Sequence, residues 1–323
     1  MPASMLSCGD HGGTVISVPL SDLPDWMSPW CRRHLRSEPA EVLFQLQQMS
    51  TVVGLRLADG THVVVKARAD DRRSRSCVAA QARLAERGFP CARPLTPVVG
   101  VGSLAAHAEE LRPGGDVLDG DSPEVAVRYA QLFARLMAGL ADVTVTPPLP
   151  NPRWVRWDHT NPGVWPTIEA LDDRDQTVVP AYVVDIAQRV RRRLLAADLP
   201  CALGHADFEA QNLRWHGPEP WAVHDWDSLA WQPEAALVGA ASGVFPKRGP
   251  TTLPPIKSSE TFLATYQDVR KRSFTIAEQE IAWAASLWPT AHDLRWEALH
   301  GAISDGATAL RAQASERLRR SNA

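Results

Sequence analysis

The stretch Leu203-Gly-His-Ala-Asp-Phe-Glu-Ala-Gln-Asn-Leu-Arg-Trp215, followed by Ala222-Val-His-Asp-Trp-Asp-Ser228, decides the reading of this 323-residue chain. It sets His205, Asp207 and Asn212 in the spacing His-x-Asp-x4-Asn and then ends a short strand on Asp225. The runs 212–215 and 221–225 read as a hairpin around His216-Gly-Pro-Glu-Pro220. Such a set suits phosphoryl transfer to a hydroxyl. That chemistry needs a carboxylate to orient the hydroxyl and accept its proton. It also needs oxygen ligands for Mg²⁺ on the nucleotide phosphates, and a cation to fix those phosphates. A loop carboxylate, an amide five residues later and a second carboxylate after a hairpin can supply the first two parts. Mg²⁺ favours oxygen ligands of this kind.

The cation comes from upstream. Residues 41–48, 52–57 and 61–66 read as three strands, and Asp59-Gly60 between the last two is a hairpin signal because a tight turn needs positive φ. Lys66 ends the third strand. The chain holds 4 lysines against 30 arginines, so a lysine kept here stands out. Ser74 or Ser76 is expected to cap a helix carrying Val78, Ala82 and Leu84 that Gly88 ends. Residues 95–101 and 104–111 read as two more strands. Arg112-Pro-Gly-Gly115 is a breaker and marks a hinge between residues 1–111 and 112–323. Beyond it the pattern turns helical. Ser122-Pro123 is a cap with proline at the first helical position, and Val125, Leu132, Phe133, Leu136 and Leu140 recur at helical spacing. A Pro-rich break at 147–152, a second helix over 181–197, and two long helices over 277–318 broken near Pro289 complete the pattern.

Taken in order, these motifs resemble the aminoglycoside phosphotransferase family, which shares the protein-kinase-like fold. The resemblance runs from about residue 41 to 300. His205-Ala-Asp207-Phe-Glu-Ala-Gln-Asn212 is similar to the family's catalytic loop, Val223-His-Asp225-Trp-Asp227 to its metal-binding segment, and Val63-Val-Val-Lys66 to its nucleotide lysine. The resemblance implies an α+β, two-lobed fold with a small β-rich N-terminal nucleotide lobe and a larger, mainly helical C-terminal lobe. It implies Asp207 as the base, Asn212 and Asp225 as Mg²⁺ ligands, and Lys66 as the partner of the α/β-phosphates of ATP or GTP. Asp227 either shares the metal or faces solvent. On the nucleotide side, Ser50 and backbone amides stand in for missing glycines in Gln48-Met-Ser-Thr51. Backbone groups from Ala108 through Glu109 to Leu111 are expected to hold adenine. Gln81 stands where related kinases place a glutamate that orients the lysine, with Glu86 a later substitute. Ala206 and Glu234 replace a usual glycine and aspartate.

Other residues have plainer readings. His205 braces the loop, and Glu209 and Gln211 are backbone or surface partners. Trp283, Trp288 and Trp296 belong to a core. Trp154, Trp157 and Trp165, with Asp158, Asp172, Asp173 and Asp175, either line a pocket for a cationic or glycosidic acceptor or pack structurally. Trp157 and Asp158 are the named acceptor candidates. The acceptor implied by the resemblance is an antibiotic or an amino-alcohol or sugar-like metabolite. A net charge of −3 argues against nucleic acid as a partner. No apolar run approaches bilayer length, and five dispersed cysteines fit a reducing cytoplasm, as a monomer or homodimer. Two rivals stand beside this reading. One is a kinase-like regulatory protein that binds nucleotide without catalysis. The other is an Asp-x-Asp glycosyl or nucleotidyl transferase, which requires βαβ alternation that the first hundred residues lack.

Overall fold

The structure is a computed structural model and describes residues 19–47, 50–70, 72–145, 149, 151–302 and 304–323. Helix α1 (Met27–Leu35) precedes strands β1 (Pro39–Gln47), β2 (Thr51–Leu57) and β3 (His62–Ala69). Helix α2 (Ser74–Glu86) then leads to β4 (Val99–Val101) and β5 (Leu104–Glu110). The five strands form one antiparallel sheet in the order β1-β2-β3-β5-β4. Asp59 and Gly60 turn the β2–β3 hairpin, with Gly60 at φ 86°, as a tight turn requires. The expected strand over 95–101 shrinks to β4, and α1 was not anticipated. α1 packs Met27 and Trp30 into a small cluster with Val53, Leu55, Val63 and Val65.

Strand alternation then sorts the rest of the sheet. Val63, Val65 and Ala67 of β3 and Ala106 and Ala108 of β5 face that small cluster. Lys66 and Arg68, with His107 and Glu109, must face the other way, because side chains alternate along a strand. The register confirms it: Lys66 lies opposite His107, and Val64 opposite Glu109.

The second lobe follows a connector in which Gly114 and Gly115 both take φ 81°. A Cβ on Gly115 would meet Arg214 and Trp221 at under 3 Å. Asp116 pairs by backbone with Trp215, so the connector is pinned to the later hairpin. Helix α3 (Pro123–Leu140) starts on a Ser122 cap with Pro123 in its first turn, as the sequence predicts. The short α4 (Glu169–Asp172) and α5 (Ala181–Leu195) precede β6 (Cys201–His205), β7 (Leu213–His216), β8 (Glu219–Val223) and β9 (Leu229–Pro233). β6 pairs with β9, and β7 with β8, both antiparallel. Helices α6 (Glu234–Val244), α7 (Ile256–Arg270), α8 (Ile276–Ala285), α9 (Trp288–Leu299) and α10 (Asp305–Ser321) complete the lobe.

The larger core is built on Phe133, Phe208, Phe245, Phe262 and Trp288, and it extends into α2 through Cys77, Ala80 and Leu84. α2 is thus shared. It follows the sheet in sequence but buries its apolar face against the second lobe. Its predicted serine caps are absent. Arg73 occupies the N-cap without a side-chain cap bond. Its guanidinium instead donates to the carbonyls of Asp227 (3.0 Å) and Leu229 (2.5 Å).

Candidate active site

Lys66 projects from β3 into the space between the lobes. Its Nζ lies 2.6 Å from Oε1 of Glu109 on β5. Glu109 Oε2 accepts from Gln81 Nε2 at 2.8 Å, and the same amide nitrogen reaches the Ala92 carbonyl at 2.8 Å. Burial works against the Lys66 charge, but Glu109 outweighs it and holds the ammonium above its usual range. Burial likewise works against the Glu109 carboxylate, and Lys66 and His107 hold it below its usual range. The pair is therefore ionised. Gln81 does not face the lysine; it holds the glutamate that does. Glu109, expected on the nucleotide side through its backbone, contributes its side chain as the acid partner of Lys66. The sequence signal was the β3–β5 register, which becomes visible only once the strands are paired across α2. Glu86, the other substitute considered, is exposed and pairs with Arg83.

The loop after β6 carries the second group. His205 is buried; its Nε2 meets the His224 carbonyl at 3.0 Å, and Nδ1 accepts the Asp207 N–H at 3.2 Å. Burial lowers its pKa, so the neutral ring donates from Nε2 and accepts at Nδ1. This is the brace expected of it. Asn212 Nδ2 donates to the Asp207 carbonyl and to Asp207 Oδ2, both at 2.9 Å. Its backbone carbonyl accepts the His224 N–H at 2.8 Å, tying the loop to the end of β8. Asp207 and Asn212 are thus fixed relative to each other and to the following segment.

Asp225 sits just past β8 at φ 57°, ψ 51°, a left-handed conformation that costs a non-glycine residue free energy. Its Oδ2 accepts from Ser228 Oγ at 2.6 Å. Burial and the nearby Asp207 and Asp227 raise its pKa to about 7. Asp227 does not face solvent. Its Oδ2 pairs with Arg68 Nη1 at 2.9 Å, and Arg68 together with Lys66 holds its carboxyl below the usual range despite burial. Asp207, Asp225 and Asp227 therefore converge electrostatically on one buried region, opposite Lys66.

A third set lies beside Asp207. Lys247, in the segment after α6, places Nζ 3.2 Å from Glu209 Oε1 and 2.7 Å from Asp293 Oδ2. Glu209 Oε2 accepts from Gln211 Nε2 at 2.7 Å. Glu209 and Gln211 are therefore buried partners of one another, not surface groups. Sequence reading passed over Lys247, although its rarity in an arginine-rich chain was a usable signal.

The remaining candidates fall outside this convergence. Ser50 is a half-buried bend before β2, and Gln48 and Met49 lie outside the described residues. The N–H of Leu111 donates to His62 (3.4 Å) and that of Glu110 to Arg93 (2.9 Å), so two donors expected to serve adenine already have partners. Glu234 starts α6 and accepts from Tyr266 at 2.5 Å, a helical-lobe contact away from the loop. Of the two readings of Trp157, the structure fits packing: the residue is 8% exposed within the larger core. The cavity it borders beside Ala206 is about 10 Å³, too small for an acceptor. Trp165 packs on Trp288, with ring centroids 5.9 Å apart. Asp158 is exposed and accepts from Asn151 at 3.1 Å. A wider cavity of about 420 Å³ opens behind the connector near Arg112, Arg135 and Trp221, away from Asp207.

Known structures share this architecture. Amicoumacin kinase hAmiN, in complex with AMP-PNP, Ca²⁺ and Ami, is 14% identical with a TM-score of 0.58, covering 85% of this chain and 87% of its own. A thermostable mutant of aminoglycoside phosphotransferase APH(4)-Ia is 16% identical with a TM-score of 0.52, over 90% and 98%. The aminoglycoside phosphotransferase from Alicyclobacillus acidocaldarius is 14% identical with a TM-score of 0.52, over 96% and 97%. The fold is therefore protein-kinase-like, with the small sheet lobe and large helical lobe of the small-molecule kinases. The sequence itself matches the APH phosphotransferase enzyme family over residues 48–246, and the chain belongs to that family. A comparison with curated proteins finds no match. Among the described residues no helix is long and apolar enough to cross a membrane.

Proposed function

We propose that this chain moves the γ-phosphate of ATP or GTP, held with Mg²⁺, to a hydroxyl of a small molecule. Asp207 orients the hydroxyl and accepts its proton. Lys66, kept charged by Glu109, takes the α/β-phosphates. Asn212 and Asp225 hold the metal, which neutralises phosphate charge when bound. The donor chemistry fits a hard divalent cation. Asn212 donates through nitrogen to Asp207, which leaves its amide oxygen as an acceptor. Asp225 is a buried carboxylate beside two others, a site short of positive charge. Asp227 is already paired with Arg68, so its share in the metal is the lesser.

The observation that carries this reading is the Lys66–Glu109 ion pair set against the Asp207–Asn212 loop and Asp225. It also removes the main support for a catalytically inactive kinase-like protein, which rested on Gln81 replacing the lysine's acidic partner. Related structures lend support of their own. hAmiN was captured with AMP-PNP and Ca²⁺, and an APH(4)-Ia mutant with AMP-PNP and hygromycin B. By that likeness the acceptor is an aminoglycoside or other hydroxylated antibiotic, or an amino-alcohol or sugar-like metabolite. The test is a screen of ADP formation with Mg²⁺ and either ATP or GTP. Its panel holds aminoglycosides, macrolides, nucleosides and amino alcohols. At least one acceptor should raise ADP formation above the acceptor-free rate. A protein whose melting temperature is unmoved by either nucleotide with Mg²⁺, and which forms no ADP, contradicts the reading. Binding at a hundredfold excess over Kd should stabilise the native state by about 2.7 kcal/mol.

A further inference from the structure

Lys247 is a buried cation beside Asp207 for which the roles above give no use. Two of the chain's four lysines are exposed, Lys257 at 76% and Lys271 at 80% of the side chain. The other two are Lys66, at 19%, and Lys247, at 5%, and both lie within the site. An ammonium this deep needs partners on every side, because desolvation is costly. Lys247 has them: Asp293 of α9 at 2.7 Å and Glu209 of the catalytic loop at 3.2 Å. Its backbone takes part too, since the Lys247 carbonyl accepts the Gln211 N–H at 3.2 Å. Gln211 in turn grips the second Glu209 oxygen at 2.7 Å. The 209–211 turn is therefore held from Lys247 by both side chain and main chain. That turn joins Asp207 to Asn212, and the Glu209 carbonyl accepts the Asn212 N–H at 2.9 Å. Without Lys247, Glu209 would be a carboxyl buried beside Asp207 with only the Gln211 amide to meet it.

We propose that Lys247 is a positioning residue for phosphoryl transfer: anchored by Asp293, it holds Glu209 in place beside Asp207 and so fixes the turn that aims Asp207 at the acceptor. Asp293 is the only partly exposed member of the set, at 26%. The clamp is thus tied to α9 of the helical lobe, whereas Lys66 stands on β3 of the sheet lobe. Its loss should be felt in the rate of transfer more than in nucleotide binding. A displacement of the order of 1 Å at such a site costs up to about 100-fold in rate.

The inference rests on the proposed kinase function, and the test separates the two. ATP turnover with Mg²⁺ is measured as phosphate release without acceptor, and again with an acceptor from the screen. Lys247→Met should lower kcat by about 10- to 100-fold, leaving the KM for ATP within about twofold. Asp293→Asn should do the same more mildly. The double variant Glu209→Gln/Lys247→Met removes both charges of the buried pair. It should recover the melting temperature but not kcat. A packing role alone predicts that kcat returns with the melting temperature, and that result overturns the proposal. So does a folded Lys247→Met protein with the parent's kcat. If Lys247→Met fails to fold, the double variant and Asp293→Asn decide by the same criteria. A parent protein that turns over no ATP removes the kinase reading and this inference with it.

Discussion

Glu109 makes Lys66 half of an ion pair, and Gln81 sets the angle of that pair. The arrangement delivers the acid from β5, although the sequence invites the search for it on α2. Alternation within β3 makes Lys66 legible, because Val63 and Val65 must face the apolar side and Lys66 the other. Glu109 was not legible in this role, since its approach to Lys66 depends on pairing strands separated by the whole of α2. The nearness of Asp207 and Asn212 followed from their spacing, because a short loop sets their separation, while the roles given to them and to Asp225 came from the family resemblance. The pair yields a prediction. Glu109→Gln takes from Lys66 its nearest counter-charge, leaving only Asp225 and Asp227, and should cost up to about 3–5 kcal/mol, read from denaturant melts. The sign with pH is also determined. Glu109 is held below its ordinary value of 4.5, so its stabilisation is complete above that value and is lost as pH falls through the folded value. The parent should therefore lose stability on acidification below about pH 4.5 more steeply than Glu109→Gln. Parallel curves for the two proteins contradict the pairing.

The elements whose position the sequence marked well are those with strong local signals: the Asp59-Gly60 hairpin and the Ser122-Pro123 start of α3. Those it marked poorly lack such signals for physical reasons. α6 is buried on nearly all sides, so its run Glu-Ala-Ala-Leu-Val-Gly-Ala-Ala-Ser-Gly-Val shows no helical stripe to read. Gly239 and Gly243 in it let α8 approach closely; a Cβ there would lie 2.1 and 2.2 Å from the carbonyl oxygens of Ala282 and Ser286. Gly239→Ala should accordingly cost at least the roughly 1–3 kcal/mol of ordinary overpacking, and a neutral effect would contradict this contact. The expected break near Pro289 falls at Ser286 and Leu287, between α8 and α9, with Pro289 in the first turn of α9. The next break comes at Gly301, at φ 68°, so the region holds three helices where two were expected. α2 needs its tether more than its caps. Arg73→Met removes two bonds to carbonyls of the segment after Asp225, and each charged bond contributes about 1.5–3 kcal/mol. The variant should melt earlier and bind Mg²⁺-ATP more weakly. Unchanged nucleotide affinity would remove the link between α2 and the metal segment.

Across the whole molecule, two apolar clusters flank a polar layer. The sheet and α1 form one, the helical lobe and α2 the other, and the charged side chains of β3 and β5 meet Asp225 and Asp227 between them. Arg68 and Arg73 cross that layer, so the segment from Asp225 to Leu229 is tied both to the sheet and to α2. Cation and carboxylates, drawn from residues 66 to 293, are brought together only by the complete fold. That is why the region expected for the acceptor, which depends on how α9 and the 154–175 segment pack, was the least legible part. There Trp157 belongs to the core, Trp154 and Trp165 pack half-buried against it, and the buried Lys247 lies beside the Asp207 loop. The central claim is that transfer takes place at Asp207 while nucleotide is held elsewhere. The most direct measurement compares Asp207→Asn with the parent, by calorimetry with Mg²⁺-ATP and by single-turnover phosphate transfer. The account predicts a rate lowered by about 10²- to 10⁴-fold with the nucleotide Kd nearly unchanged. Full transfer by a folded Asp207→Asn protein, or a rate loss that only tracks weakened nucleotide binding, would contradict it.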